Sequence, residues 1–202
     1  FQEVFKQAAL NINSNVNLAV FNSSGWSIYD IYNQAYRHNG RLIIGELGFF
    51  NSTIGYRAKL ETNKFWIRRN MSGVVFKSAV VVPNSRIKLD EYLYSEERRQ
   101  ENSMHRFQST TIRYCRDFFN FTLEVERTES WGYRQQNGNF DGLVGLLERK
   151  LVDFGSSPLL LKFDRLPVVD YSYGNWILRS TFIYRRPKIE VDSYEIFLRP
   201  LS

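Results

Sequence analysis

Cysteine is nearly absent from this chain of 202 residues: Cys115 is its one thiol, so no disulfide forms within it. Histidine is almost as scarce, with His38 and His105 far apart and no Cys or carboxylate pattern beside either. We read both as surface residues. Zinc-ligand spacing, a phosphate-cradling glycine loop and a Gly-x-Ser-x-Gly elbow are all missing. The chain is therefore expected to be no enzyme and to need no metal and no cofactor. No run approaches the roughly eighteen apolar residues that a membrane-crossing helix requires. There is no initiating Met and no basic-then-apolar leader, so the chain reads as a fragment whose start lies upstream.

What is present describes a folding chain. Hydrophobic residues make up 43% and charged residues 24%, the balance of a globular protein and not of a disordered one. The net charge of +6 raises nucleic acid as a partner, but the signs are mixed along the length, as in Tyr94-Ser-Glu-Glu-Arg-Arg99. With no nucleic-acid-binding signature, the charge reads as a solvated face, and no nucleic-acid partner is expected. A basic surface of this kind still draws small anions. Cys115 falls on the apolar side of an expected helix, with Ile112, Phe118 and Phe119, and reads as a buried, unreactive thiol. Asn-x-Ser/Thr sequons at Asn22, Asn51, Asn70 and Asn120 are candidate glycosylation sites and tilt the reading toward secretion. Asn120 sits at a helix end, where a glycan fits on the surface.

Two regions differ in pattern. Residues 1–72 carry strand-like runs between turn signals, clearest at Arg41–Phe50 and Ile54–Leu60. From about Gly73 a new unit begins. Val74–Val82 is an apolar, β-branched run stopped by Pro83, as in a strand buried on both faces. A charged loop is expected through Glu101, then a helix capped by Ser109 or Thr110, then an alternating strand at Phe121–Glu126. Phe140, Leu143, Val144, Leu147 and Leu151 mark a second helix, with Gly142 and Gly145 tolerable there only under close packing. A short strand at Val152–Gly155 leads into Ser156-Ser-Pro158, and further strands are expected at Val168–Tyr171 and Thr181–Tyr184. Strand, helix, strand is an α/β unit, and the loop leaving the carboxyl end of such a strand is the usual place for a ligand.

Phe140-Asp-Gly-Leu-Val-Gly145, Val152-Asp-Phe-Gly-Ser-Ser-Pro-Leu159, Asp164-Arg165 and Val168-Val-Asp-Tyr171 follow one another at set distances. This ordered series resembles the first lobe of the ligand-binding domain of ionotropic glutamate receptors, which is related to bacterial periplasmic binding proteins. It is most similar to the divergent insect ionotropic receptors of smell and taste, in the clade associated with volatile carboxylic acids. The resemblance is strong over about residues 73–200 and softer before.

The resemblance implies an α/β, periplasmic-binding-protein-like lobe over 73–202, preceded by a smaller strand-rich segment, 1–72, that ends an amino-terminal extracellular region. It implies a chemosensory ligand-gated cation channel in the plasma membrane of a sensory dendrite, working with co-receptor subunits. Membrane contact then comes only through segments outside this chain. A soluble secreted binding protein of the same fold, or a truncated non-functional receptor, are the alternatives. Carried over residue by residue, Pro158 is the loop proline and Arg165 the carboxylate-gripping arginine at a helix start; its other reading is a surface ion pair with Asp164. Phe107 lies near the aromatic lid, or else is a core aromatic. Trp131 and Tyr133 stand near the cleft mouth. Asp153 and Asp170 read as structural. Where glutamate receptors place a Thr, this chain has Leu160, and Lys162 replaces a Ser/Thr helix cap. These departures argue for a small carboxylate with an apolar tail over glutamate. Arg185–Lys188 and Tyr194–Ser202 resemble the linker into a first membrane helix.

Overall fold

The structure, a computed structural model, describes residues 2–59, 63–84, 86–97, 100–177, 179 and 181–185. A short helix, α1 (Gln2–Gln7), precedes four strands: β1 (Val16–Asn22), β2 (Gly25–Asn33), β3 (Leu42–Asn51) and β4 (Gly55–Ala58). They form an antiparallel meander in chain order. The β1–β2 turn is closed by the Asn22 side-chain Oδ1, which accepts from the backbone N–H groups of Ser24 and Gly25 at 3.0 Å each. Val16, Leu18 and Val20 alternate half-buried with exposed neighbours, the period-two pattern of a strand with one covered face. A bulge between Ile28 and Tyr29 shifts the β2–β3 register, and beyond it Asp30 to Gln34 are all buried.

Arg68 locks this sheet. It follows α2 (Lys64–Ile67), whose first turn is capped by Asn63 accepting from the Phe65 N–H at 2.9 Å. Arg68 is 2% exposed, and its Nε and Nη2 donate to the two Asp30 carboxylate oxygens at 3.1 and 2.6 Å. Its Nη1 donates to the carbonyls of Ile12 and Ser14, and the guanidinium lies 4.5 Å from the Tyr32 ring centroid. One side chain thus ties the entry segment to the middle of β2.

The second sheet is parallel, in the order β6-β5-β7: β5 (Val75–Val81) is flanked by β6 (Thr122–Thr128) and β7 (Phe154–Gly155). Three helices interleave: α3 (Leu89–Tyr94), α4 (Ser103–Phe119) and α5 (Gly142–Glu148). The apolar second half of β5, Ala79 to Val81, has a direct cause, since both its faces are covered. Ala79 and Val81 pack with Leu143 of α5 and Val152; Val80 and Val82 pack with Tyr92 and Leu93 of α3. The result is a mixed α/β chain consistent with a periplasmic-binding-protein-like lobe. The two sheets meet through the segment after α2. Met71 and Gly73 N–H groups donate to the carbonyls of Phe119 and Asn120, both at 2.8 Å, and the Gln34 amide donates to the Asn70 carbonyl at 2.6 Å.

Residues 1–171 form one compact unit and residues 172–202 a second, whose described residues carry neither helix nor strand. The expected strands do not form at Val168–Tyr171, in the first unit, or at Thr181–Tyr184, in the second. Over 163–168 the chain turns instead, and the Val168 and Val169 N–H groups donate to the Arg165 carbonyl, so no ladder forms there. The charged stretch before Glu101 is not all loop, because α3 buries Tyr92 and Leu93 with Asp90 and Glu91 at its favourable end. Consequently α4 starts at Ser103, and Ser109 is a buried interior residue whose Oγ lies 3.3 Å from Tyr94 Oη. Leu151 falls beyond α5, which stops at Glu148 before Lys150 turns left-handed at φ 57°. Of the expected linker, only Arg185 lies within the described residues. Among those residues no helix is long and apolar enough to cross a membrane, and no metal-binding cluster occurs.

Candidate ligand site

The site lies past the carboxyl ends of β6 and β7, where an open parallel sheet offers a crevice. The loop after β7 is anchored to β5: the Ser156 N–H donates to the Ala79 carbonyl at 2.9 Å, and Ser157 Oγ accepts from the Val81 N–H at 2.7 Å. Ser156 and Ser78 hydroxyls pair at 2.8 Å beneath it. This fixes Pro158, half-buried, and sends Leu160 outward, 61% exposed.

Arg165 is the polar centre. It is 2% exposed, so the surface ion pair with Asp164 does not describe it. Its Nε and Nη2 donate to the Gly132 carbonyl at 3.2 and 2.7 Å, and its Nη1 to the Leu160 carbonyl at 3.1 Å. It does not begin a helix, since 163–168 are turns, so no helix dipole assists it. Two backbone carbonyls orient the guanidinium in its place. Tyr171 Oη donates to the same Leu160 carbonyl at 3.1 Å. Tyr133 stands beside this group, with Lys162 Nζ 5.2 Å and Arg165 Cζ 6.0 Å from its ring centroid. Two cations thus share one exposed aromatic ring, at distances where cation–π attraction operates. The Gly132 carbonyl was invisible in the sequence, because a backbone acceptor leaves no residue-type signal. Tyr133 left one in its place after β6.

Phe107 is exposed on α4, two residues beyond His105. His105 itself is not a surface residue. It is buried, with Nδ1 3.3 Å from Tyr92 Oη and its ring 6.1 Å from Trp131, which packs on the α5 core. His38 is half-buried, its Nε2 lies 2.8 Å from Asp153 Oδ1, and its ring packs at a tilt against Phe76 with centroids 5.0 Å apart. The carboxylate partner comes from a residue distant in sequence. Asp153 also accepts from the Lys77 N–H at 2.8 Å, the structural role expected of it. Asp170 is exposed, and Cys115 is free and half-buried. Of the sequon asparagines, Asn22, Asn70 and Asn120 are exposed and Asn51 is half-buried.

Burial holds the His105 pKa below its ordinary 6.5. The folded state therefore resists a proton that the unfolded chain accepts. This contribution is complete above about pH 6.5 and is lost as pH falls through the lowered folded value. Urea midpoints should drop between pH 7.5 and 5.5, and His105→Phe should flatten that dependence. An unchanged slope in the variant would remove His105 as its source.

Residues 1–81 match the family described as Ionotropic receptor 75a N-terminal. The chain is 26% identical over 151 residues to human "Glutamate receptor ionotropic, delta-2", covering 75% of this chain and 15% of that protein. It is 27% identical over 84 residues to "Glutamate receptor ionotropic, kainate glr-3" of Caenorhabditis elegans, 42% of this chain and 10% of that one. Against "Glutamate receptor" of Lymnaea stagnalis the identity is 30% over 84 residues, 42% of this chain and 9% of the relative. The likeness is to ionotropic receptors. The family match covers the amino-terminal meander and ends with the last residue of β5. The chain spans between 9% and 15% of the length of these receptors.

Proposed function

We propose that the chain is the extracellular ligand-sensing part of a ligand-gated cation channel, a chemosensory ionotropic receptor for small carboxylic acids. In this reading residues 1–72 end an amino-terminal extracellular region, and 73–202 supply the first ligand-binding lobe and the linker to a membrane helix. The receptor sits in a sensory-neuron plasma membrane with co-receptor subunits.

The observation that carries the reading is the set position of Arg165. Three of its five N–H groups are engaged by Gly132 and Leu160, which fixes the fork and leaves one N–H on each terminal nitrogen. A ligand carboxylate pairs with that edge. The exposed Leu160 side chain gives an apolar tail a surface where a hydroxyl is absent, two residues beyond Pro158. Ligand favours the closed arrangement of two lobes, and that differential affinity drives gating.

The test is current from the full receptor with propionate, and with propanol as the uncharged counterpart. Arg165→Met should raise the half-maximal propionate concentration roughly 10–100-fold, the equivalent of a charge-assisted contact. Arg165→Lys should fall between, keeping charge but losing the fork. Surface expression is measured in parallel, because Arg165 also satisfies two carbonyls. Equal responses to acid and alcohol, or normal propionate sensitivity in a surface-expressed Arg165→Met receptor, would sink the proposal.

A further inference from the structure

We propose that an N-linked glycan at the Asn70–Asn120 corner lies over an exposed aromatic patch between α2 and α4. This rests on the extracellular reading above. The two sequons are fifty residues apart, as 120 less 70 shows, yet the Asn120 Nδ2 donates to the Asn70 Oδ1 at 2.9 Å. Their backbones are pinned together as well, through Met71 on Phe119 and Gly73 on Asn120. A glycan on either asparagine starts from one place.

The patch adjoins that place through both chains. Arg69, next to Asn70, lies with its guanidinium 5.1 Å from the Trp66 ring centroid and 5.9 Å from that of Phe118. Trp66 and Phe118 meet edge-on at 5.7 Å, and Phe118 meets Phe119, next to Asn120, at 4.9 Å. Trp66 and Phe118 are 53% and 52% exposed, and Tyr114, one turn back from Phe118, is 70% exposed. A contiguous aromatic surface of this kind needs a cover or it promotes association. The apolar C–H face of a pyranose ring stacks flat on such rings, while its hydroxyls face water.

The chemistry is compatible with the hydrogen bond already present. Transfer from a lipid-pyrophosphate-linked oligosaccharide joins the asparagine Nδ2 to the anomeric carbon. The lipid pyrophosphate leaves with the bond pair, and the amide gives up one proton. A glycosylated Asn120 therefore keeps one N–H to donate to Asn70.

The test uses the chain secreted from a eukaryotic cell line, with sequon occupancy read by peptide mass spectrometry. Asn70→Gln with Asn120→Gln should increase binding of an anilinonaphthalene dye and increase self-association. Asn22→Gln with Asn51→Gln should change neither. In a Trp66→Ala, Phe118→Ala background the corner substitutions should no longer matter. If the corner variant is not secreted, enzymatic removal of glycans from the folded parent supplies the same readout. An occupied corner whose removal leaves dye binding unchanged overturns the proposal, as does a parent in which the patch is buried between two copies. Glycans found only at Asn22 or Asn51 overturn it while leaving the extracellular reading intact. No glycan at any sequon overturns it as well, while the propionate currents decide the extracellular reading separately.

Discussion

Arg68→Met should destabilise the folded chain by about 3–5 kcal/mol, the usual cost of removing one partner from a buried ion pair. The loss has two parts. Asp30 is buried, and without Arg68 both its carboxylate oxygens lose the guanidinium that pairs them. The Ile12 and Ser14 carbonyls also lose their donor, which frees the entry segment from β2. In urea unfolding the midpoint should fall without a change of slope. Adding Asp30→Leu should recover part of the loss, because the unpaired buried carboxyl is then gone while the two carbonyls stay unsatisfied. A loss below about 1 kcal/mol for the single variant, or no recovery in the double, would show that the pair is not what holds the meander.

How far the sequence reveals this fold depends on how local each cause is. The β5 run and the α5 stripe were legible because their periodicity states which faces are covered: Val80 and Val82 face α3, Ala79 and Val81 face Leu143. The loop after β7 was legible from its place after a strand and from the ordered motif series. By contrast α3 hid inside a charged stretch, since Tyr92 and Leu93 offer too few apolar positions to show a helical period. The chain around Val168 has a strand's composition, but composition cannot show that its N–H groups turn back onto Arg165. Pairings such as His38 with Asp153 and Asn70 with Asn120 depend on tertiary closure, which no window of sequence contains. Arg165 shows both sides of this divide. Its residue type marked the site, whereas the carbonyls that aim it belong to Gly132 and Leu160, whose side chains say nothing of that role.

That dependence makes Gly132→Ala the substitution expected to couple fold and site most directly. Gly132 is buried at φ +117°, a conformation that L side chains rarely adopt, and an added methyl would run into the Val144 side chain and backbone nitrogen. Backbone strain costs about 1–3 kcal/mol. Overpacking against a filled core adds about 1–3 kcal/mol more, because Val144 is fully buried on α5. The expected result is a lowered urea midpoint together with a weakened propionate response in the full receptor, since any shift of residue 132 moves the carbonyl that holds two Arg165 donors. Val144→Gly in the same chain removes both side-chain atoms that the methyl meets, so the double variant should lose less stability than the two single substitutions added together, leaving the φ strain in place. The propionate response should show the same coupling, because the carbonyl returns toward its position. If stability shows the coupling but the response does not, Gly132 aims Arg165 through its exact backbone conformation. If Gly132→Ala leaves both measurements unchanged, the carbonyl is not what orients the guanidinium, and Leu160 alone would have to do so.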